Sequence, residues 1–276
     1  MERKLASIRM IDDIEPIEGA DKIVCATIGG WKLVTAIENG FKIGDMVIYL
    51  EIDSWVPTEV AAFLSKGKDP REFNGVKGER LRTIKLRGQI SQGLILPVSV
   101  LDGLANSFTE GDDFTEILNI QKWERPMNAQ LAGMAKGNFP SFIFKTDQER
   151  IQNLTREFNG YKVDGYTFEV TEKLDGSSMT VYFNGEFGVC SRNLDLKETE
   201  GNTFWTTARK GNLEEILDYV NKVSGMNIAL QGELIGPGIQ GNIYKLTQHE
   251  FRLFDIFDIN TQTYWNATSR DKFAKE

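Results

Sequence analysis

Glu172-Lys173-Leu174-Asp175-Gly176-Ser177-Ser178 ends an apolar run and opens a tight Gly-Ser turn. Lys173 stands at that junction. A lysine amine attacks an electrophile only after losing its proton, and nearby cations or desolvation bring its pKa down toward neutrality. The placement predicts a nucleophile held in a nucleotide-sized cleft. The same four-residue string, Lys-Leu-Asp-Gly, also serves as a plain surface hairpin turn. Its meaning therefore rests on its neighbours.

Outward from the lysine, the chain predicts an antiparallel sheet. Thr167 to Leu174 and Ser178 to Phe183 read as strands. Asn184-Gly185 is a two-residue hairpin signal between Phe183 and Glu186, so the chain returns through Phe187, Val189 and Ser191. Asn212 is placed to cap a helix carrying Leu213, Ile216, Leu217 and Val220 at helical spacing. Ile228 to Ile235 and Phe251 to Ile259 read as further strands. The second has bulky residues on both faces, which predicts a central position. Upstream, Thr146 and Glu149 have the capping-box spacing; Ile151, Leu154 and Phe158 share a helical face, and Gly160 can end that helix.

The first hundred residues have a different texture. Ile23 to Ile28, Trp31 to Ala36, Met46 to Ile52 and Leu94 to Val98 are short β-rich segments. Gly29-Gly30, Asn39-Gly40, Gly44-Asp45 and Gly93 separate them. Many short strands and few helices predict a small OB-like barrel. Turn-rich sequence from about 103 to 145 places a boundary near Trp123, giving domains 1–122 and 123–276. The expected class is α+β: an N-terminal OB-like β-barrel, then an antiparallel sheet with flanking helices.

Composition narrows the function. Hydrophobic residues make up 41% of the 276 and charged residues 26%, enough for a real core. No apolar run reaches membrane-span length, and the N-terminus has no signal-peptide core, so membrane insertion and export are not expected. Cys25 and Cys190 are the only cysteines and His249 is the only histidine. Structural zinc, a disulfide framework and a histidine-pair mechanism are all poorly served, and a reducing cytoplasm is expected. The net charge of −8 argues against indiscriminate coating of nucleic acid. Yet eight basic residues fall between Lys66 and Arg87 against only Asp69, Glu72 and Glu79. Lys77, Arg80, Arg82, Lys85 and Arg87 form a candidate phosphate-tracking patch; a solvated loop with ordinary surface charge is the alternative.

Further features follow the lysine in order. Cys190-Ser191-Arg192-Asn193 lies on the strand returning from the hairpin, which brings a guanidinium suited to phosphate or ribose back toward Lys173. Gln231-Gly232-Glu233-Leu234-Ile235-Gly236 puts a carboxylate near a strand end, as a buried hydrogen-bonded group or as a ligand for metal or ribose. The glycine-rich turn Gly236-Pro237-Gly238-Ile239-Gln240-Gly241-Asn242 lacks the lysine of a P-loop. In Phe251-Arg252-Leu253-Phe254-Asp255-Ile256 the two phenylalanines have opposite parity, so at most one faces a pocket and can stack on a base.

Taken in order, these stretches resemble motifs I, Ia, III and IIIa of the covalent nucleotidyltransferases, over roughly residues 145–260. The set is most similar to the ATP-dependent RNA ligases of the Deinococcus and Naegleria type, which carry an OB domain before the catalytic one. Lys145-Thr146-Asp147-Gln148-Glu149-Arg150-Ile151-Gln152-Asn153 is similar to the lead-in helix of that group. The resemblance implies that Lys173 becomes a lysyl-AMP on reaction with ATP. It implies that Glu172 lines the adenine pocket through its backbone, with Asp175 and Gly176 beside the nucleotide. Arg192 and Glu233 would contact ribose or phosphate, Phe254 would stack on adenine, and Glu233 is also the candidate ligand for Mg2+ or Mn2+. The implied substrate is RNA with 3′-OH and 5′-phosphate ends, including nicked duplex, handled by a cytoplasmic monomer.

The resemblance also has a departure. Motif IV and the Lys-x-Lys of motif V are not found up to Glu276, which predicts an incomplete catalytic domain with impaired adenylylation. Two alternatives follow: a catalytically inactive RNA-binding protein on a ligase scaffold, or a nucleotidyltransferase of the DNA ligase or capping type.

Overall fold

The computed structural model describes residues 3–105, 107–124, 133–145 and 148–275. It divides into two compact units, Met1–Arg125 with Gln148–Tyr166, and Pro126–Asp147 with Thr167–Glu276. Both are built from antiparallel sheets with a few helices, an α+β architecture.

In the first unit the strands are β1 (Ala6–Met10), β2 (Asp13–Pro16), β3 (Ile23–Ile28), β4 (Trp31–Ala36), β5 (Met46–Leu50) and β6 (Ser54–Pro57). A short helix α1 (Thr58–Ala61) precedes β7 (Arg71–Phe73), β8 (Val76–Arg80), β9 (Ile84–Leu86), β10 (Gln89–Ser91), β11 (Leu94–Pro97) and β12 (Gln121–Lys122). They pair as β1-β5-β11, β2-β3-β4, β12-β6-β8-β7 and β9-β10. Strand β5 explains its own unbroken apolar sequence. Ile48 and Leu50 join one core cluster with Ile8 and Leu96, while Val47 and Tyr49 join another with Trp31 and Leu33. Both faces are buried, so no polar alternation survives. Each such side chain contributes about 1.5–3 kcal/mol on burial.

Residues 148–166 pack on this unit. Gly30 N–H donates to the Gln152 carbonyl at 2.9 Å, and Trp31 Nε1 donates to Asn153 Oδ1 at 2.6 Å. A Cβ on Gly30 would lie 2.7 Å from Gln152 Cα, so only glycine permits this approach. Glu51, 1% exposed, is paired with Arg3 and with Arg150 at 3.3 Å. The helix differs from expectation. Thr146, its expected cap, lies outside the described residues. Arg150 is extended, with its guanidinium on Glu51; a 3-10 turn follows at Ile151–Asn153, and the regular helix α2 (Thr155–Val163) continues past Gly160.

The second unit is one seven-stranded sheet. Its strands are β13 (Ala135–Asn138), β14 (Ser177–Phe183), β15 (Phe187–Ser191), β16 (Leu194–Leu196), β17 (Ile228–Ile235), β18 (Glu250–Asp258) and β19 (Thr263–Tyr264). Their order is β13-β16-β15-β14-β17-β18-β19, antiparallel throughout. Helices α3 (Thr203–Lys210) and α4 (Leu213–Ser224) cover one face, where Trp205, Ala208 and Leu217 meet Met179, Val181 and Leu230. The other face carries Tyr182, Cys190, Ala229 and Phe257, packed with Ile143. Strand alternation puts Glu233 on that second face with Ala229 and Gln231. A last helix, α5, spans Ala267–Lys275.

Four local expectations are corrected. Thr167 to Leu174 is not a strand: residues 167–175 have no regular structure, because no strand among the described residues pairs with them. The hairpin after β14 has a three-residue loop, Phe183 facing Phe187, with Gly185 left-handed at φ 78°. Strand β18 is central only at its end, where Phe257 and Asp258 meet β19. Asn212 stands at the start of α4, but its side chain makes no capping bond; Asn202 caps α3, accepting from Phe204 N–H at 3.1 Å and Trp205 N–H at 3.4 Å.

Candidate functional site

The Lys-Leu-Asp-Gly turn is held where it enters β14. Gly176 N–H donates to Glu233 Oε1 at 3.1 Å, Asp175 N–H donates to the Tyr244 hydroxyl at 2.8 Å, and Gln240 Nε2 donates to the Gly176 carbonyl at 3.2 Å. Glycine is required at 176 by space rather than by φ. A Cβ there would lie 2.5 Å from the Leu234 carbonyl oxygen and 2.8 Å from Glu233 Cγ. The pairing of Ser178 with Glu233 across β14 and β17 brings these groups together.

Lys173 itself is exposed, as are Glu172 and Asp175. The expectation of a lysine enclosed in a cleft is thus corrected, because the unpaired segment carrying it lies at the surface. Its charge nonetheless reaches the site. Glu233 is half-buried, and burial pushes its carboxyl above the usual glutamate range. Lys173, the Gly176 N–H and Arg192 oppose that rise, while Asp175 adds to it. Arg192 is exposed, just beyond the end of β15.

Phe254 occupies the extra position of an irregularity in β18, since Gln231 faces Asp255 while Gly232 faces Leu253. Phe251 packs on the helix-covered core, and Phe254 is half-buried. Nearby Asp255 is half-buried; burial raises its pKa, Arg270 opposes this and Glu169 adds to it. Arg270 donates to the Phe254 carbonyl at 3.0 Å and to Glu169 at 2.5 Å, joining β18 to the segment that leads to the lysine. Sequence reasoning did not single out Tyr244, Gln240, Glu169 or Arg270. Tyr244 and Gln240 reach the turn only through the folded loop, and Glu169 gains its partner only through Arg270 of α5.

No cluster of three or more His, Cys, Asp or Glu side chains suited to a metal occurs among the described residues. The donors at hand are Glu233 and Asp175. Hard divalent ions that retain water and phosphate oxygens need only one or two protein carboxylates, so this pair fits magnesium or manganese.

In the first unit, Lys77, Arg82, Lys85 and Arg87 are exposed. Arg80 is not available in the same way: it bonds Asp53 at 2.5 Å and lies 3.6 Å over the Trp123 ring. The hairpin β9-β10 turns through Arg87 and Gly88, both at positive φ. It also leaves Ile84, Leu86 and Ile90 exposed. Among the described residues, no helix is long and apolar enough to cross a membrane.

Residues 5–98 match an OB-fold domain family and residues 166–276 match the RNA ligase family. No curated protein sequence matches the chain significantly. Several solved structures of Naegleria gruberi RNA ligase are similar to it. A glutamate-to-alanine variant with AMP and manganese is 47% identical, with a TM-score of 0.86. A lysine-to-alanine variant with ATP and manganese is 46% identical with a TM-score of 0.85, and the enzyme with pyrophosphate is 47% identical with a TM-score of 0.85. Each match covers 99% of this chain and 79% of the other. The chain belongs to the RNA ligase family of the Naegleria gruberi enzyme.

Proposed function

We propose that this protein seals RNA 3′-OH and 5′-phosphate ends with ATP, through a lysyl-AMP on Lys173. The observation that carries the reading is the hydrogen bond from Gly176 N–H to half-buried Glu233 Oε1 at 3.1 Å, which ties the turn carrying Lys173 to the strand carrying Glu233. ATP and pyrophosphate, present in the similar structures, are the reactant and leaving group of such a first step, and AMP, also present in one, is the species released in the last.

In that step the deprotonated Nζ of Lys173 bonds to the α-phosphorus, and the bond from that phosphorus to pyrophosphate breaks. Next, an oxygen of the RNA 5′-phosphate displaces the lysine and takes the AMP. Finally the 3′-oxygen bonds to the 5′-phosphorus, its proton leaves, and AMP departs. Arg192 and Glu233 orient ribose or phosphate, Phe254 stacks on adenine, and the backbone of Glu172 with Asp175 and Gly176 frames the nucleotide. Glu233 and Asp175 would hold a divalent ion, which would supply charge to offset that of the phosphates.

The first hundred or so residues are read as an OB-like barrel that holds RNA, with Lys77, Arg82, Lys85 and Arg87 on phosphates. Residues 123–276 are read as the adenylyltransferase part. Buried, unpaired Cys25 and Cys190 support a reducing, cytoplasmic setting, and a monomer is the simplest state.

The test is incubation with α-labelled ATP and magnesium. Acid-labile label is expected on this chain or on a form extended past Glu276, and is absent from the matching Lys173→Ala variants; it is followed by sealing of a nicked duplex with RNA on the 3′-OH side. Equal labelling of Lys173→Ala, or labelling by GTP in place of ATP, would overturn the assignment.

A further inference from the structure

The glycine-rich turn after Glu233 has no role in the chemistry above, yet it is one of the most thoroughly built loops in the second unit. Gly236, Gly238, Gln240, Gly241, Asn242 and Lys245 all have positive φ. A Cβ on Gly236 would lie 2.7 Å from the Gln248 carbonyl oxygen. Asn242 bonds Leu246 from both ends of its amide, at 2.9 and 3.0 Å, and His249 Nε2 bonds the Pro237 carbonyl at 2.7 Å. Ile239 packs into the helix-covered core. Several residues in a region disfavoured for side-chain-bearing amino acids persist only where surrounding contacts hold them.

This rigid loop presents two side chains to the nucleophile's turn. The Tyr244 hydroxyl accepts from Asp175 N–H at 2.8 Å, and Gln240 Nε2 donates to the Gly176 carbonyl at 3.2 Å. They hold the peptide joining Leu174 to Asp175 and the peptide joining Gly176 to Ser177, both on the C-terminal side of Lys173. The unpaired segment 167–174 has no ladder of its own; Arg270 holds it at Glu169 on the N-terminal side of Lys173, and the loop holds it on the C-terminal side. We propose that Tyr244 and Gln240 are positioning residues for the nucleophile: the loop 236–245 works as a backbone clamp that aims Lys173 at the α-phosphate. The inference rests on the lysyl-AMP reading given above.

A clamp on the lysine's backbone matters when the amine attacks and much less once AMP is already on RNA. The test uses Tyr244→Phe, which removes one oxygen and keeps the ring, and Gln240→Leu. Single-turnover formation of lysyl-AMP is measured beside sealing of pre-adenylylated RNA. The expected result for Tyr244→Phe is a roughly tenfold slower first step at saturating ATP, with little change in ATP KM and in the sealing of pre-adenylylated ends. Hydrogen exchange at the Asp175 amide should quicken at least tenfold in the same variant. An unchanged first step, or equal slowing of both reactions, in a protein whose native form labels normally would overturn the clamp alone. Absence of label on both this chain and a form extended past Glu276 would overturn the ligase reading and the clamp with it.

Discussion

Gly176 N–H donates to Glu233 Oε1 at 3.1 Å, and this bond ties the turn carrying the nucleophile to the strand two places removed from it in the motif order. Glu233 therefore has two tasks, one as acceptor for the turn and one as negative charge facing Lys173 and Arg192. Substitutions separate them. Glu233→Gln keeps an oxygen that can accept from Gly176 and removes the charge. Glu233→Ala removes both and frees the turn to shift. Displacement of about 1 Å can cost about 100-fold in rate, so lysyl-AMP formation should fall at least that far in Glu233→Ala. Equal rates for the two variants in a single-turnover assay would show that the hydrogen bond is irrelevant.

Gly176 is next. An added methyl would press on the backbone oxygen of Leu234 at 2.5 Å, and backbone within a paired strand cannot move aside cheaply. Overpacking of this kind costs about 1–3 kcal/mol. Gly176→Ala should unfold several degrees below the native protein in a thermal scan. At Gly185, where space is open, an added Cβ meets nothing within 4 Å and only the φ of 78° is strained. Gly185→Ala should therefore cost less, about 1 kcal/mol. The reverse ranking would contradict the packing argument.

Much of this was legible in the chain. Segments such as Ile23–Ile28, Trp31–Ala36 and Ile228–Ile235 are strands at the expected bounds, because their apolar content has only one buried use. Residues 167–174 have the same texture and are not a strand, since strand formation also needs a partner and the sequence of one segment does not carry that information. The relation of Lys173 to Glu233 was readable as motif order. The contributions of Tyr244 and Arg270 were not, because a lone tyrosine hydroxyl or surface-helix arginine gains meaning only from what the fold sets beside it.

Acidity supplies a third prediction. Burial raises the pKa values of Glu233 and Asp255 above the ordinary carboxylate range. A raised folded-state pKa means that the folded protein binds protons more tightly than the unfolded chain. The stabilising contribution is full below the unfolded-state values and is lost as pH rises through the folded-state values. Glu233→Gln and Asp255→Asn should each flatten that decline. Relative to native, both variants should gain stability in urea unfolding as pH rises from the ordinary carboxylate range through the raised folded-state values. A difference from native that is constant across that range would remove these carboxylates from the account.

The exposed hairpin of β9 and β10 makes the last claim on solution behaviour. Lys85 and Arg87 stand on it in solvent and Arg82 is exposed just before it, whereas Arg80 is committed to Asp53 and Trp123. If the first three contact RNA phosphates, each contact releases counterions, and its loss weakens binding at low salt and lowers the salt slope by about 1. Charge reversal of Arg82 and Lys85 together should therefore reduce affinity for a nicked RNA duplex by at least tenfold at low ionic strength and flatten log K against log salt by about 2. Lysyl-AMP formation, which involves no RNA, should be unaffected in the same protein. Replacing Arg80 should instead lower stability, by breaking its bonds to Asp53, while changing the salt slope little. Binding and slope that survive the double reversal would place the RNA on another surface of the molecule.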